Sequence, residues 1–210
     1  PNNSSFNIYY LEAYSSEQLE NPTRTGYKFL GWYPVSSASD TAGKRVKSGD
    51  ACTFTENKTL YAYWEACVVN VEFKENKPTT NGTVTWSMTN LPTSHIYSGT
   101  YGQNLFTSDW TGKLSLTGYS FGGFYKDEAC TEDNKVDYDT KINTTNFTNN
   151  DQLKWTNGTC PGTIKLYAKW TPCQMNISYD ANGGCFDRDD ETSITTIRQY
   201  ESGNEFEELI

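Results

Sequence analysis

One histidine and six cysteines among 210 residues bound the chemistry this chain could do. Nucleophilic catalysis by serine or cysteine needs a positioned base, ordinarily histidine. His95 stands in the stretch Pro92-Thr93-Ser94-His95-Ile96-Tyr97 with no nucleophile elbow around it, so it reads as a loop residue. Glycoside hydrolysis needs only two carboxylates held about 5 to 9 Å apart, and Asp127, Glu128, Asp137 and Asp139 qualify by type. Their Lys-, Thr- and Asn-rich surroundings read instead as solvated loop. The run Asp187 to Glu191 offers oxygens that calcium would accept, but without the spacing of a calcium-binding loop, and is expected to be a charged hairpin tip. Ala181 to Cys185 lacks the Gly-Lys-Ser continuation and the helix of a phosphate-binding loop. The chain therefore reads as non-enzymatic, with catalytic residues, cofactor and metal all assigned as none.

The cysteines are better explained as cross-links than as ligands. No Cys-x2-Cys pair occurs, and a single histidine leaves zinc poorly served. Cys67 follows Trp64 by three residues and Cys173 follows Trp170 by three, and each has an upstream mate, Cys52 and Cys160. Loops of that size suit disulfides worth about 3 kcal/mol. The expected pairs are Cys52 with Cys67 and Cys160 with Cys173, leaving Cys130 and Cys185 over. Six cysteines allow about fifteen pairings, so connectivity stays open.

Charge removes further classes. The net charge of -9, with 17 Lys and Arg spread along the chain, provides no basic face for phosphates, which argues against a nucleic-acid partner. No stretch approaches the roughly 18 apolar residues of a membrane span, so no membrane insertion is expected within this fragment. A secretory leader would lie upstream of it. Eight Asn-x-Ser/Thr triplets, at Asn2, Asn3, Asn57, Asn81, Asn143, Asn146, Asn157 and Asn176, would carry glycans only in a eukaryotic host.

The elements that would position these groups are repeated. Thr25 to Tyr33 reads TGYKFLGWY and Thr117 to Tyr125 reads TGYSFGGFY; downstream of each comes a partner, TLYAYW at Thr59 to Trp64 and KLYAKW at Lys165 to Trp170. Self-similarity on so long a period is the mark of a modular array. Met175 to Gly184 parallels Val69 to Lys77 and opens a third copy. Aromatics make up 15% of the chain against 35% for all apolar types, a ring-rich composition that suits strands. With a mean hydropathy of -0.73 there is little to bury per copy, so small sheets in series are expected.

Period two predicts one strand face from Tyr27, Phe29, Gly31 and Tyr33 and another from Tyr119, Phe121, Gly123 and Tyr125, with a large ring packed over each mid-strand glycine. Leu60, Ala62 and Trp64 match Leu166, Ala168 and Trp170, and the change of Tyr63 to Lys169 suggests a solvent face. Further strands are expected at Phe6 to Leu11, Val68 to Phe73, Gly82 to Met88 and Asn176 to Asp180. Asn-Gly turns are expected at Thr80 to Gly82 and Ala181 to Gly184. Ser15 and Gln18 satisfy a capping box before a short helix over Glu17 to Glu20 that Pro22 stops, with a counterpart at Gly203 to Leu209. A few strands with one short helix each is an α+β reading.

Together, TGYKFLGWY, TLYAYW and SYDANGG at Ser178 to Gly184 resemble the Listeria–Bacteroides repeat, the internalin B-repeat family. The resemblance runs over nearly the whole chain and implies tandem β-grasp, ubiquitin-like units on secreted or surface-anchored proteins, often adhesins. Residues 1–66 would be a first unit lacking its front, 67–172 a complete second unit with an insertion, and 173–210 the start of a third. The second unit departs from the pattern at Phe124, where the first has Trp32, and in its insertion around Asn143 to Trp155. Its linkers, Glu65-Ala66-Cys67 and Thr171-Pro172-Cys173, are short and predict restricted bending.

The expected function is a stalk or spacer at the cell surface or outside the cell, with adhesion to a host or cell-wall glycan or a surface protein. Neighbouring repeat units of the same chain are the other expected partners. A carbohydrate-binding module beside an extracellular enzyme is the alternative, with the rings of Tyr61, Tyr63, Trp110 and Trp155 as stacking candidates.

Overall fold

The computed structural model describes residues 4–37, 45–79, 82–148, 160, 162–180, 182 and 193–199, the last for backbone alone. Compact packing divides the chain into two units. The first takes in Pro1–Val69, Ser98–Gln103 and Lys141–Thr163; the second takes in Asn70–Tyr97, Asn104–Thr140 and Ile164–Ile210. The architecture is strand-rich. Among the described residues the single helical element is a 3-10 turn at Glu132–Asn134, and no helix is long and apolar enough to cross a membrane.

In the first unit, β1 (Tyr27–Tyr33) pairs antiparallel with β2 (Tyr61–Ala66). Tyr14, Leu19 and Cys52 form its buried centre, packed by Ile8, Trp32, Val46, Phe54 and Leu60. Another sheet has five strands. Its members are β3 (Val68–Lys74), β5 (Ile96–Thr100), β7 (Tyr119–Tyr125), β8 (Lys135–Val136) and β9 (Thr163–Pro172), in the order β5-β3-β9-β7-β8. β4 (Thr85–Trp86) and β6 (Leu114–Ser115) form a separate two-stranded ribbon. The rings of Phe73, Phe106, Trp110 and Phe124 meet edge to face at centroid distances of 4.9 to 5.9 Å, geometry that adds to their area burial. Beyond the sheet, β10 (Gln174–Asp180) pairs with β11 (Ser193–Gln199), a strand not foreseen. Asn182, at φ 44°, donates its N–H to Asp180 Oδ1 at 2.9 Å at the start of the expected Asn-Gly turn.

The repeated nonapeptides adopt one register. Phe29 faces Trp64 and Trp32 faces Ala62, just as Phe121 faces Trp170 and Phe124 faces Ala168. Each strand has a bulge, between Phe29 and Gly31 and between Phe121 and Phe124. A bulge puts two residues opposite one and reverses the alternation beyond it. Phe29 and Trp32 therefore share a face, while Gly31 and Tyr33 lie on the other, which corrects the single face expected from strict period two. The ring pairs repeat as well. Phe29–Trp64 lies at 5.4 Å and Phe121–Trp170 at 5.6 Å; Phe29–Trp32 lies at 5.6 Å and Phe121–Phe124 at 5.2 Å.

The glycines explain the bulges. Gly31 has φ 140° and Gly123 has φ 105°, backbone that favours glycine. What covers them is not an aromatic ring, as expected, but a basic side chain: a Cβ on Gly31 would meet Arg45 Nε at 2.5 Å, and one on Gly123 would meet Lys135 Cε at 3.3 Å. Arg45 and Lys135 each precede the valine, Val46 or Val136, that pairs with Trp32 or Phe124.

Other expectations are corrected. Phe6 to Leu11 forms no strand; it ends in a turn at Tyr10 and Leu11, and pairing is limited to one bridge between Ala13 and Ala51. Gly82 to Met88 keeps only the two strand residues of β4. The capping box is present, since Gln18 N–H donates to Ser15 Oγ at 3.1 Å and Ser15 N–H to Gln18 Oε1 at 2.8 Å. It caps a single turn, closed by Leu19 N–H on Ser15 O at 3.3 Å, because Pro22 follows at once. The disulfide joins Cys67 to Cys160, 93 residues apart, and Cys52, Cys130 and Cys173 are free thiols. Both expected pairs are thereby excluded. Turn residues Thr80 and Asn81, the acidic run Asp187 to Glu191, Cys185, Trp155 and the segment Gly203 to Leu209 lie outside the described residues.

Candidate binding surface

Four of the residues considered for catalysis, His95, Asp127, Glu128 and Asp137, make backbone or turn-closing contacts, and Asp139 lies exposed in a turn. His95 sits at φ 55° in a turn, stacks on Trp86 at 4.1 Å and accepts the Phe73 N–H on its carbonyl oxygen. Asp127 accepts from Thr131 N and Oγ1 at 3.2 and 3.0 Å, closing a turn. The carbonyl oxygens of Glu128 and Ala168 receive the amide of Asn76 at 3.0 and 3.1 Å. Asp137 takes part through its backbone N–H, donated to Thr140 Oγ1. Among the described residues no group of three His, Cys, Asp or Glu could hold a metal ion. Cys130 is buried, and that burial pushes its thiol above the ordinary range, with the Asn76 hydrogen bond opposing.

The stacking candidates separate. Trp110 is 3% exposed and belongs to the core of the second unit, which removes it as a sugar platform. Tyr63 is half-buried and packs on Tyr33 at 4.8 Å. Its counterpart Lys169 lies over Tyr125 at 5.0 Å and pairs with Glu132. That position is thus a ring-covering one in both copies, not simply a solvent face. The Lys169 hydrogen bond holds Glu132 below the usual carboxylate range, and the same bond raises Lys169. Tyr61 stays exposed.

Sequence reasoning missed the most exposed rings. Tyr9, Tyr10 and Leu11 are 83%, 60% and 60% exposed. They form a tip held by Glu12, whose carboxylate accepts Tyr9 N–H at 2.7 Å and whose N–H returns to Tyr9 O at 3.0 Å. Leu11, at φ 66°, donates its N–H to Cys52 O at 2.8 Å. Two apolar rings and a leucine on a polar, fixed turn are anchors of the kind that protein partners use. A stretch taken for a strand hid this signal, because Tyr-Tyr-Leu scores equally well as sheet.

A segment with the same backbone bonds shows how such a tip can be used. Gln103 N–H donates to Thr100 O and Gly102 N–H to Ile142 O, as Glu12 does to Tyr9 and Leu11 to Cys52. There the middle residue is Tyr101, whose ring lies on Gly26 so closely that a Cβ would collide with it, and packs on Tyr27 at 5.4 Å. Cys67 ties the arrangement, giving its N–H to Gly26 O and taking that of Tyr101 on its own carbonyl, both at 2.9 Å.

The bulged strand, its Trp-bearing partner and the glycine turn are the parts that the shared motifs encode. Residues 2–63 match the Listeria-Bacteroides repeat domain. The chain is also 28% identical over 177 residues to a protein of Evansella cellulosilytica named "Putative membrane protein", covering 83% of this chain and 21% of that one. It is 25% identical over 219 residues to a "Putative Gly-rich membrane protein" of the same organism, covering 77% and 23%. The chain thus spans less than a quarter of the length of these relatives. No solved structure matches it.

Proposed function

We propose that this chain is a non-catalytic stretch of tandem β-grasp-like repeats, with units at 1–66, 67–172 and 173–210, serving as a stalk of a secreted or cell-surface protein and adhering through rings such as the exposed Tyr61. The observation that carries this reading is the recurrence of one bulged, ring-packed strand pair with identical register at Tyr27–Tyr33 and Tyr119–Tyr125. The strand order supports the β-grasp part: β3 and β5 are neighbours at one side, and the last strand, β9, returns to the middle beside the first. The names of the relatives support attachment to the envelope, and their greater length supports a spacer within a larger protein.

Antibodies to the chain should label intact cells of the producing organism. Deleting residues 67–172 from the parent protein should reduce the reach of an epitope placed beyond them, while leaving any activity carried elsewhere unchanged. Labelling only after lysis would refute the reading.

A further inference from the structure

We propose that the Tyr9-Tyr10-Leu11 tip is the ring half of a repeat-to-repeat joint, and that its occupant is the Thr-Gly-Tyr turn of a further repeat in the parent protein. The inference rests on the tandem-repeat reading and adds the contact that joins one repeat to the next. The template is Tyr101. Its ring needs a partner without a side chain, and Gly26 provides one. With φ 80° and a place in the turn closed by Tyr27 N–H on Arg24 O, Gly26 presents bare backbone to the ring, and Tyr27 supplies an edge.

Tyr10 occupies the same station. The bonds at Glu12 N–H and Leu11 N–H reproduce those at Gln103 and Gly102, and the left-handed φ of 66° at Leu11 matches 84° at Gly102. The backbone thus sets Tyr10 as it sets Tyr101, yet Tyr10 is 60% exposed while Tyr101 is partly covered. The receiving turn is repeated too. Thr117-Gly118-Tyr119 repeats Thr25-Gly26-Tyr27, Gly118 has φ 81°, and Cys173 N–H donates to Gly118 O at 2.8 Å as Cys67 does to Gly26. Ring and socket are therefore both periodic features of the repeat, and one occupied pair shows how they fit. A glycan or an unrelated protein would have no need of a glycine at φ near 80°.

Tyrosine nitration by tetranitromethane with peptide mapping tests this in the unmodified 210-residue chain and in the full parent protein. Tyr10 should react readily in the chain and about tenfold more slowly in the parent, as for a ring hidden nine-tenths of the time. Changing the glycine of the nearest upstream Thr-Gly-Tyr turn of the parent to valine should restore its reactivity. Equal reactivity of Tyr10 in chain and parent, protection that survives the glycine change, or a parent with no such turn upstream would each overturn the proposal. In the chain itself, Gly26→Ala should make Tyr101 reactive while buried Tyr14 and Tyr125 stay protected; Tyr101 remaining protected would remove the template. If the variant unfolds, the comparison of chain and parent, which needs no variant, still decides. Protection of Tyr10 together with failure to label intact cells would refute the stalk and keep the joint.

Discussion

Reducing the Cys67–Cys160 disulfide should be the most damaging change that leaves every side-chain contact of the core in place. The bond spans 93 residues. Closing a loop of that length in the unfolded chain removes about 15.6 cal/mol/K, which at 25 °C stabilises the fold by about 4.6 kcal/mol on the chain-entropy account. Either short pairing suggested by sequence spacing would contribute about 3 kcal/mol. With a urea slope of about 2 kcal/mol/M, the midpoint should fall by about 2 M on reduction. The assay is tryptophan fluorescence against urea with and without a phosphine reductant, paired with non-reducing peptide mapping. A Cys67→Ala, Cys160→Ala double variant should match the reduced protein, since the Cys67 backbone keeps its bonds to Gly26 and Tyr101. Midpoints that coincide, or peptides linked Cys52 to Cys67 or Cys160 to Cys173, would refute the reasoning. Pulling on the ends should agree: reduction adds about 320 Å of extensible chain at about 3.5 Å per residue.

Other substitutions probe the two units separately. Trp110→Ala empties the space beside Phe73 and Phe124 and should cost about 3–5 kcal/mol in urea or thermal unfolding; a loss of sugar binding with stability unchanged would contradict its core placement. Gly31→Ala should cost about 1–3 kcal/mol through its φ of 140°, and adding Arg45→Ala should not recover that loss, because the strain lies in the backbone and the Arg45 stem can move; full recovery would locate the cost in the clash instead. Glu132 is held below its ordinary range by Lys169, so its contribution is present above the unfolded-state value and is lost as pH falls through the lower folded one. Thermal melts of Glu132→Gln across that acidic window should therefore show less pH dependence than the parent chain, and identical slopes would deny the pairing.

What the sequence disclosed and what it concealed divide on physical lines. The ring-bearing strands and their pairing could be read because Phe29, Trp64, Phe121 and Trp170 recur at matched spacing, and matched spacing fixes register. The mid-strand glycines were the one signal of the bulge, and a bulge or a close ring are equally natural readings of it. Choosing the ring put Gly31 and Tyr33 on the wrong face. The disulfide was hidden because spacing paired each cysteine with a near neighbour along the chain, while Cys67 and Cys160, 93 positions apart, meet only once the chain between them has folded. Of the candidate surface, Trp110 looked available only because its copy-specific position carried no repeat partner. The Tyr9–Leu11 tip was concealed by a strand-like composition that a single left-handed residue, Leu11, interrupts.

The substitution of Phe124 for the tryptophan at Trp32 has a cause in the same packing. Trp32 is half-buried, and its indole N–H donates to Glu20 O at 3.2 Å. Phe124 is fully buried, with Phe73, Trp86, Trp110 and Phe121 around it at 4.9 to 6.2 Å. A second ring there would have to displace its neighbours and find an acceptor for its N–H inside an apolar cage. Phe124→Trp should therefore destabilise by about 1–3 kcal/mol through overpacking, with a further 1–3 kcal/mol or so if the N–H is left unpaired. Trp32→Phe in the other copy loses a hydrogen bond worth about 1 kcal/mol at a partly open site. The asymmetry is the test: the exchange toward the family pattern should be the costlier of the two, read as midpoint shifts in urea on otherwise identical chains. If Phe124→Trp were neutral and Trp32→Phe severe, the rings around Phe124 would not form the closed cage that defines the second core.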